Sequence, residues 1–418
     1  MKPTADLIII NANELLTISG HSEKPKTGSQ MDDLGIINNG SLAVSKDRII
    51  ACGNSEDVLA QISTTSETIQ IDATSKVVMP GFIDCHTHLV FGGSREGEFE
   101  QRIKGASYLD ILRSGGGILD TVRSTRATSK AELIEKSLDH LDTMLEFGTT
   151  TVEAKSGYGL TIDAELKQLQ VVKKLNDLHP IDIISTFLVH TTPPEFNSSQ
   201  EFLDFVINSM LPRMQSMAEY CDIFCEQDVF DIEQSRQVLT AAKNLGFKLK
   251  IHADQLNDTG GAQLAASLHA SSASHLDHIS RVGIEKMADS GTIAVLIPGA
   301  SFFLGSDTYP PALDMISRGV AVALATDFNP GSCPTESMQI ILTMACLHMN
   351  MSPTQAICAA TINAAHALER ADTIGSLEVG KQADIIILDV PNYRCIPYHF
   401  GVNNVETVIK KGVIVYSD

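Results

Sequence analysis

Tryptophan is absent from the 418 residues, and aromatics of all kinds make up only 5% of them. Ile, Leu, Val, Ala and Met must therefore fill most of any core. Positive charge is also scarce: 31 Lys and Arg stand against 51 Asp and Glu, a formal net charge of −20 with His neutral. That balance disfavours nucleic acid and anionic membranes as partners. It also means that an anionic substrate needs a local cation to capture it. No apolar run reaches the length of a membrane helix. Leu7–Ile10 is flanked by Asp6, Asn11, Asn13 and Glu14, so no signal peptide is expected. The eight cysteines (Cys52, Cys85, Cys221, Cys225, Cys333, Cys346, Cys358 and Cys395) are scattered. They read as reduced thiols of a cytoplasmic protein rather than a disulfide framework. Cys221 and Cys225 have a spacing that a metal could use, but no second Cys/His pair follows them.

What is present is a globular composition, 43% apolar and 20% charged, in a chain long enough for one large barrel and a smaller module. The two ends resemble each other. Asp6–Thr17, Gly40–Gly53, Ala383–Asp389 and Val405–Tyr416 read as short β runs, with a hairpin turn expected at Lys46-Asp47. They are taken as one small β-sandwich domain built from both termini, residues 1–75 and 371–418. Between them, residues 76–370 alternate apolar β-rich runs with amphipathic segments. The candidate strands are Val77–Asp84, Thr149–Ala154, Ile183–Val189, Asp222–Gln227, Lys248–His252, Ala273–Leu276, Thr292–Ile297 and Val320–Thr326. Candidate helices fall at Lys130–Phe147, Asp163–Leu178, Ser199–Ala218, Glu233–Leu245 and Thr259–His269. Eight βα units in one block point to a (β/α)₈ TIM barrel, an α/β fold. A doubly wound open sheet is the competitor, but no Gly-x-Gly-x-x-Gly opens a helix after the first strand.

Barrel chemistry sits at the C-terminal ends of strands. His86 and His88 follow the first candidate strand, His190 the third and His252 the fifth; His275 comes at the sixth and Asp327 after the eighth. Alternate residues of a strand point the same way, so the two histidines of Pro80-Gly-Phe-Ile-Asp-Cys-His-Thr-His88 can meet one ion. With His252 and Asp327 they form a His₃Asp set suited to Zn²⁺ or iron. Taken singly, each has a plainer reading: exposed loop histidines, a hydrogen-bonded core histidine, a turn-capping carboxylate before Asn329-Pro-Gly331. Their joint placement favours the metal.

These motifs resemble the amidohydrolase superfamily: His-x-His on the first strand, His on the fifth and sixth, Asp on the eighth. Further segments narrow the resemblance to its imidazolone-hydrolysing branch in histidine degradation. They are His88-Leu-Val-Phe-Gly-Gly-Ser-Arg95, Gly105-Ala-Ser-Tyr108 leading to Gly115-Gly-Gly-Ile118, Thr121-Val-Arg-Ser-Thr-Arg126, and Glu153-Ala-Lys-Ser-Gly-Tyr-Gly-Leu160. His190-Thr-Thr-Pro-Pro-Glu195, His252-Ala-Asp-Gln255 and Thr326-Asp-Phe-Asn-Pro-Gly-Ser332 complete the set. The resemblance implies conversion of 4-imidazolone-5-propanoate and water to N-formimidoyl-L-glutamate, with one metal ion per subunit, Zn²⁺ or Fe³⁺. It implies metal ligation by His86, His88, His252 and Asp327, and a catalytic set of Asp327, His275 and Gln255. Arg95, Tyr108, Tyr158, His190, Gln255, Asn329, Gly331 and Ser332 are the implied substrate contacts, with Arg95 as a two-pronged clamp on the propanoate. Some relatives carry Glu where this chain has Gln255. Gln cannot act as a base, so here it binds and positions. The segment before His190 also looks about one residue shorter than the family pattern. A homodimer is the expected assembly. Lys155 ends the second strand rather than the fourth, so it is not expected to bridge two metals. The competing readings are a deaminase or cyclic amidase for another heterocycle, and a non-catalytic barrel, which the full ligand set disfavours.

Overall fold

The computed structural model describes residues 2–106 and 115–418. Five strands open the chain: β1 (Leu7–Leu16), β2 (Ile36–Ser45), β3 (Arg48–Asn54), β4 (Ile69–Asp72) and β5 (Val77–Pro80). Eight follow in the middle: β6 (Phe82–Asp84), β7 (Thr149–Lys155), β8 (Asp182–Val189), β9 (Tyr220–Cys225), β10 (Lys248–Ala253), β11 (Ser272–His275), β12 (Ile293–Leu296) and β13 (Val322–Leu324). Three close it: β14 (Ile385–Leu388), β15 (Val405–Lys410) and β16 (Val413–Ser417).

The terminal strands form one sheet, in the order β16-β15-β14-β5-β1-β2-β3, with β4 alongside β1. β1 is buried on both faces. Leu7, Ile9, Ala12 and Leu15 join one apolar cluster, while Ile8 packs with Ala43, Ala51 and Val58 in another. The expected hairpin turn is present: β2 and β3 pair from Gly40↔Asn54 to Ser45↔Arg48, and Lys46 takes the left-handed backbone that a tight turn needs (φ 56°).

β6 to β13 pair in strict chain order, parallel throughout, as an eight-stranded barrel. Every residue of β12 and β13 is buried, which explains why both are continuous apolar runs in the sequence. The flanking helices keep the expected spans closely, for example Lys130–Glu146 and Ile162–Leu178. Ser129 caps the former with a reciprocal Glu132 side chain. The stretch expected as one helix over 199–218 is broken instead. Ser199–Phe205 and Leu211–Met214 are α-helical, with a π-helical turn at Val206–Met210 between them. Pro212 lacks the N–H that would continue the regular ladder there.

A second difference bears on the whole architecture. Val77–Asp84 reads as one strand, but the chain breaks it at Gly81. Val77–Pro80 pairs with β1 and β14 in the small sheet, and Phe82–Asp84 pairs with β7 in the barrel. The Gly81 N–H donates to Asp384 O at 3.1 Å. Its Cα lies so close to Thr150 that any Cβ would overlap the threonine side chain.

The barrel closes just beyond the ends of β6 and β13. The Asp327 N–H donates to His86 O (3.0 Å) and the His88 N–H to Phe328 O (2.9 Å). Below them, the buried Asp84 carboxylate accepts from the Thr326 N–H (3.1 Å) and hydroxyl (2.5 Å). A Gly81→Val substitution should force the sheet and barrel apart at this crossing. Overpacking of this kind costs about 1–3 kcal/mol, so the thermal midpoint should fall measurably; an unchanged midpoint would show that the crossing is not close-packed.

Candidate metal centre and active site

Closure of the barrel brings the two ends of the sequence motif set together. His86 Nε2 lies 3.3 Å and His88 Nε2 3.2 Å from the same atom, Asp327 Oδ1. The His252 ring centroid is 4.5 Å from that of His86. His86, His252 and His275 also present ring nitrogens within 4.8 Å of one another. All five side chains are buried. His275 and Asp327 both take left-handed backbone (φ 74° and 57°), as does Leu276 (66°). Such conformations cost about 1–3 kcal/mol each and are kept where a site over-determines them.

The arrangement fits a cation. His86 Nε2, His252 Nε2 and Asp327 Oδ1 are buried and have no hydrogen-bond partner among the described residues. Burial pushes the His86 and His88 imidazoles well below their usual values, and His275 down to about 3, so the rings are neutral. Convergent lone pairs without a donor cost about 1–3 kcal/mol apiece. A metal ion satisfies all of them at once.

The rings are held from behind. His86 Nδ1 shares a 2.9 Å hydrogen bond with Ser274 Oγ. His252 Nδ1–H donates to Asp222 at 3.1 Å, which leaves Nε2 free to face the cluster. Asp222 also accepts from Lys155 Nζ (2.7 Å), and Lys155 pairs with Glu153 (2.9 Å), which in turn takes Lys250 (2.9 Å). These four groups are fully buried and balance in charge. Burial alone would push the Asp222 carboxyl up; His252 and Lys155 beside it outweigh that and hold it far below its usual range. Lys155 is thus tied into an ion-pair network on β7. Asp222, Ser274 and Glu153 were not singled out from the sequence. The available signal was a carboxylate inside the apolar run Tyr220-Cys-Asp-Ile-Phe-Cys225, since a strand buried on both faces holds a charge only with a partner. The neighbouring Cys221 and Cys225 are buried free thiols on β9.

Above the cluster lies a cavity of about 260 Å³, lined by His88, Arg95, Tyr158, His190, His252, Gln255, His275, Asp327, Asn329, Gly331 and Ser332 among others. All the described residues expected at the site therefore meet in one place; Tyr108 lies outside the described residues. The His190 ring stacks on His88 (5.3 Å) and lies 5.4 Å from Tyr158. Buried Glu165 accepts from the N–H groups of Gly157, Gly159 and Leu160, and Gln168 from that of Tyr158. The loop carrying Tyr158 is thereby strapped to the first turns of the helix behind it. Asp254 serves the fold, accepting from the N–H groups of Thr259, Gly261 and Ala262.

Three expected contacts are already engaged. The Asn329 amide closes its own loop: Oδ1 accepts from the Gly331 and Ser332 N–H groups (both 2.8 Å), and Nδ2 donates to Asp327 O (2.6 Å). Ser332 Oγ donates to Asp327 Oδ2 at 3.3 Å. Arg95 directs both Nε (3.0 Å) and Nη2 (2.7 Å) to Glu98 Oε2, so the paired edge expected to grip substrate is occupied by Glu98. The Arg95 guanidinium packs on the Cα of Gly331, where any side chain would collide with it.

An eight-stranded parallel barrel with three histidines, an aspartate and a fourth imidazole at its C-terminal mouth defines a hydrolase of the metal-dependent barrel class. The amidohydrolase family model matches residues 77–415. The imidazolonepropionase of Alkaliphilus oremlandii (strain OhILAs) is 49% identical over 98% of this chain and 98% of its own length. That of Fusobacterium nucleatum subsp. nucleatum is 48% identical over 99% of both. Among solved structures, a zinc-bound adenosine deaminase from Xanthomonas campestris superposes with a TM-score of 0.74 at 18% identity, over 99% of this chain and 93% of that one, a likeness of fold. The chain belongs to the amidohydrolase family and, within it, to the imidazolonepropionases.

The network behind His252 makes a measurable demand. Asp222→Asn removes the charged acceptor that fixes the His252 tautomer, and metal affinity should drop by roughly 10–100-fold in chelator competition; unaltered affinity would separate Asp222 from the metal site.

Proposed function

We infer that the chain opens the cyclic amide of 4-imidazolone-5-propanoate to give N-formimidoyl-L-glutamate in histidine degradation, with its chemistry at the His86–His88–His252–Asp327 cluster. The observation that carries the residue-level reading is the set of buried, unpartnered acceptors converging at the floor of a cavity with guanidinium on its wall. One Zn²⁺ or Fe³⁺ per chain would be held by these four side chains, supplying Lewis acidity and making water nucleophilic near neutral pH.

The remaining roles fall to the chain's own groups. Water attacks the ring carbonyl carbon and the C–N bond to the adjacent ring nitrogen breaks. Asp327 takes the proton of the attacking water and returns it to the leaving nitrogen. Its Oδ2 is steadied for this by the Ser332 hydroxyl. His275, neutral and lodged beside His86 and His252, donates a hydrogen bond to the developing oxyanion. Gln255, half-buried on the cavity wall, positions the ring without exchanging protons. Tyr158 and His190 hold the ring against His88, and the Asn329–Ser332 loop presents its backbone to substrate and product. Arg95 faces the propanoate.

The protein works in the cytoplasm as a homodimer in this reading. Exposed Leu347, Tyr398 and Phe400 line one apolar groove, which supports association of two copies. No helix among the described residues is long and apolar enough to cross a membrane.

A spectrophotometric assay on freshly made 4-imidazolone-5-propanoate, with and without chelator, tests the function directly. Turnover that is lost on metal removal and regained on adding Zn²⁺ or Fe³⁺ is expected. No turnover by metal-loaded protein would overturn the substrate, and turnover indifferent to chelation would overturn the chemistry. In the same assay Arg95→Ala should mainly raise KM, because a charge pair made before the chemical step is lost; an unchanged KM would remove Arg95 from the site.

A further inference from the structure

One buried amide joins the loops that follow β6 and β7. On the helix Ile162–Leu178, Ala164, Gln168, Val172 and Leu175 recur at helical spacing and are all buried. That stripe calls for an apolar residue at 168, yet a fully buried glutamine stands there. An amide is kept in a core with its donor and its acceptor both engaged, and here the two reach different loops. Oε1 accepts the Tyr158 N–H at 3.1 Å, and Nε2 donates to the Val90 carbonyl at 2.7 Å. Val90 lies two residues beyond His88, and Tyr158 three beyond Lys155 at the end of β7. Gln168 therefore spans from the His88 loop to the Tyr158 loop. Glu165, on the same helix, works within one loop: it accepts from the N–H groups of Gly157, Gly159 and Leu160. Between them the two side chains take every backbone N–H from Gly157 to Leu160, a stretch that begins and ends in left-handed backbone (φ 106° and 56°).

We propose that Gln168 is a positioning residue for the substrate pocket: it sets the separation of Tyr158 from His88, and with it the slot in which a planar ring is held. The Tyr158 ring centroid lies 5.7 Å from that of His88 and 5.4 Å from that of His190. His88 is fixed separately, by its N–H to Phe328 O at the barrel seam. Gln168 thus governs the Tyr158 side of the slot and leaves the candidate metal ligands alone. This role rests on the reading of Tyr158 as a group that holds the imidazolone ring.

Two variants test it. Gln168→Met keeps the volume and removes both hydrogen bonds. Gln168→Asn keeps an amide that is one methylene too short to reach both loops, and it serves if the Met variant does not fold. The Kd of imidazole-4-propanoate, a non-hydrolysable probe, is measured by calorimetry on metal-loaded wild type, on each variant, on Tyr158→Ala and on the double variants. Residues in contact couple, so binding should weaken about tenfold in the Gln168 variants and no further once Tyr158 is alanine. Metal affinity in chelator competition should be unchanged. A crystal structure of the metal-loaded variant without ligand should show the Tyr158 ring displaced from His88. Wild-type affinity for the probe in either variant, or a loss that adds in full to that of Tyr158→Ala, would overturn the proposal. So would a Tyr158 ring still 5.7 Å from His88, or metal affinity that falls in step with probe binding. Turnover of 4-imidazolone-5-propanoate by wild type reports separately on the substrate, and the ligand-free crystal structure decides on Gln168 whichever way that falls.

Discussion

The His86 carbonyl accepts the Asp327 N–H, and the Phe328 carbonyl accepts the His88 N–H. These two backbone bonds close the barrel between its first and last strands, and they also set His86, His88 and Asp327, the candidate metal ligands, side by side. Residues more than 230 positions apart in sequence reach 3.2 Å in space only because the ring of strands has no gap at this seam. Asp84 reinforces it by clasping Thr326 twice. Fold closure and site assembly are therefore one event. The left-handed backbone at Asp327 and His275 is tolerated because neighbouring strands hold it. The Leu276 N–H, for example, donates to Ala253 O at 3.0 Å.

Electrostatics divides the barrel interior into two regimes. Beneath the cluster, Glu153, Lys155, Asp222 and Lys250 are fully buried and mutually neutral, so each charge has a partner within 3 Å. Breaking such a set strands a charge in a dry interior, at a cost of several kcal/mol. Above the cluster, Arg95, Glu98 and Arg102 stand on the cavity wall, with Asp327 at its floor. The lower set orients the His252 ring through Asp222. The upper set faces the cavity.

Much of this was legible in the sequence, for physical reasons that can be named. The i, i+2 rule placed His86 and His88 on one side of a strand end. The barrel rule put His252, His275 and Asp327 at the same mouth. The resemblance carried by segments such as Lys155-Ser-Gly-Tyr-Gly-Leu160 and Asp327-Phe-Asn-Pro-Gly-Ser332 named the substrate. What stayed hidden depends on contacts between distant segments. Nothing local marks Gly81 as the point where one apolar run is shared between two sheets; that follows from Thr150 and Asp384, which come from elsewhere in the chain. Asp222 looked like part of a strand until His252 and Lys155 were seen beside it. Arg95 looked like a free clamp although Glu98, one turn along, already holds it.

The claim on which everything else turns is that one metal ion sits at the seam. Anomalous X-ray scattering at the metal edge, from crystals of metal-loaded protein, measures this directly. One peak per chain is expected, about 2.0–2.2 Å from the Nε2 atoms of His86, His88 and His252 and from an Asp327 oxygen. Two peaks, or a peak beside Lys155 and Asp222, would contradict it.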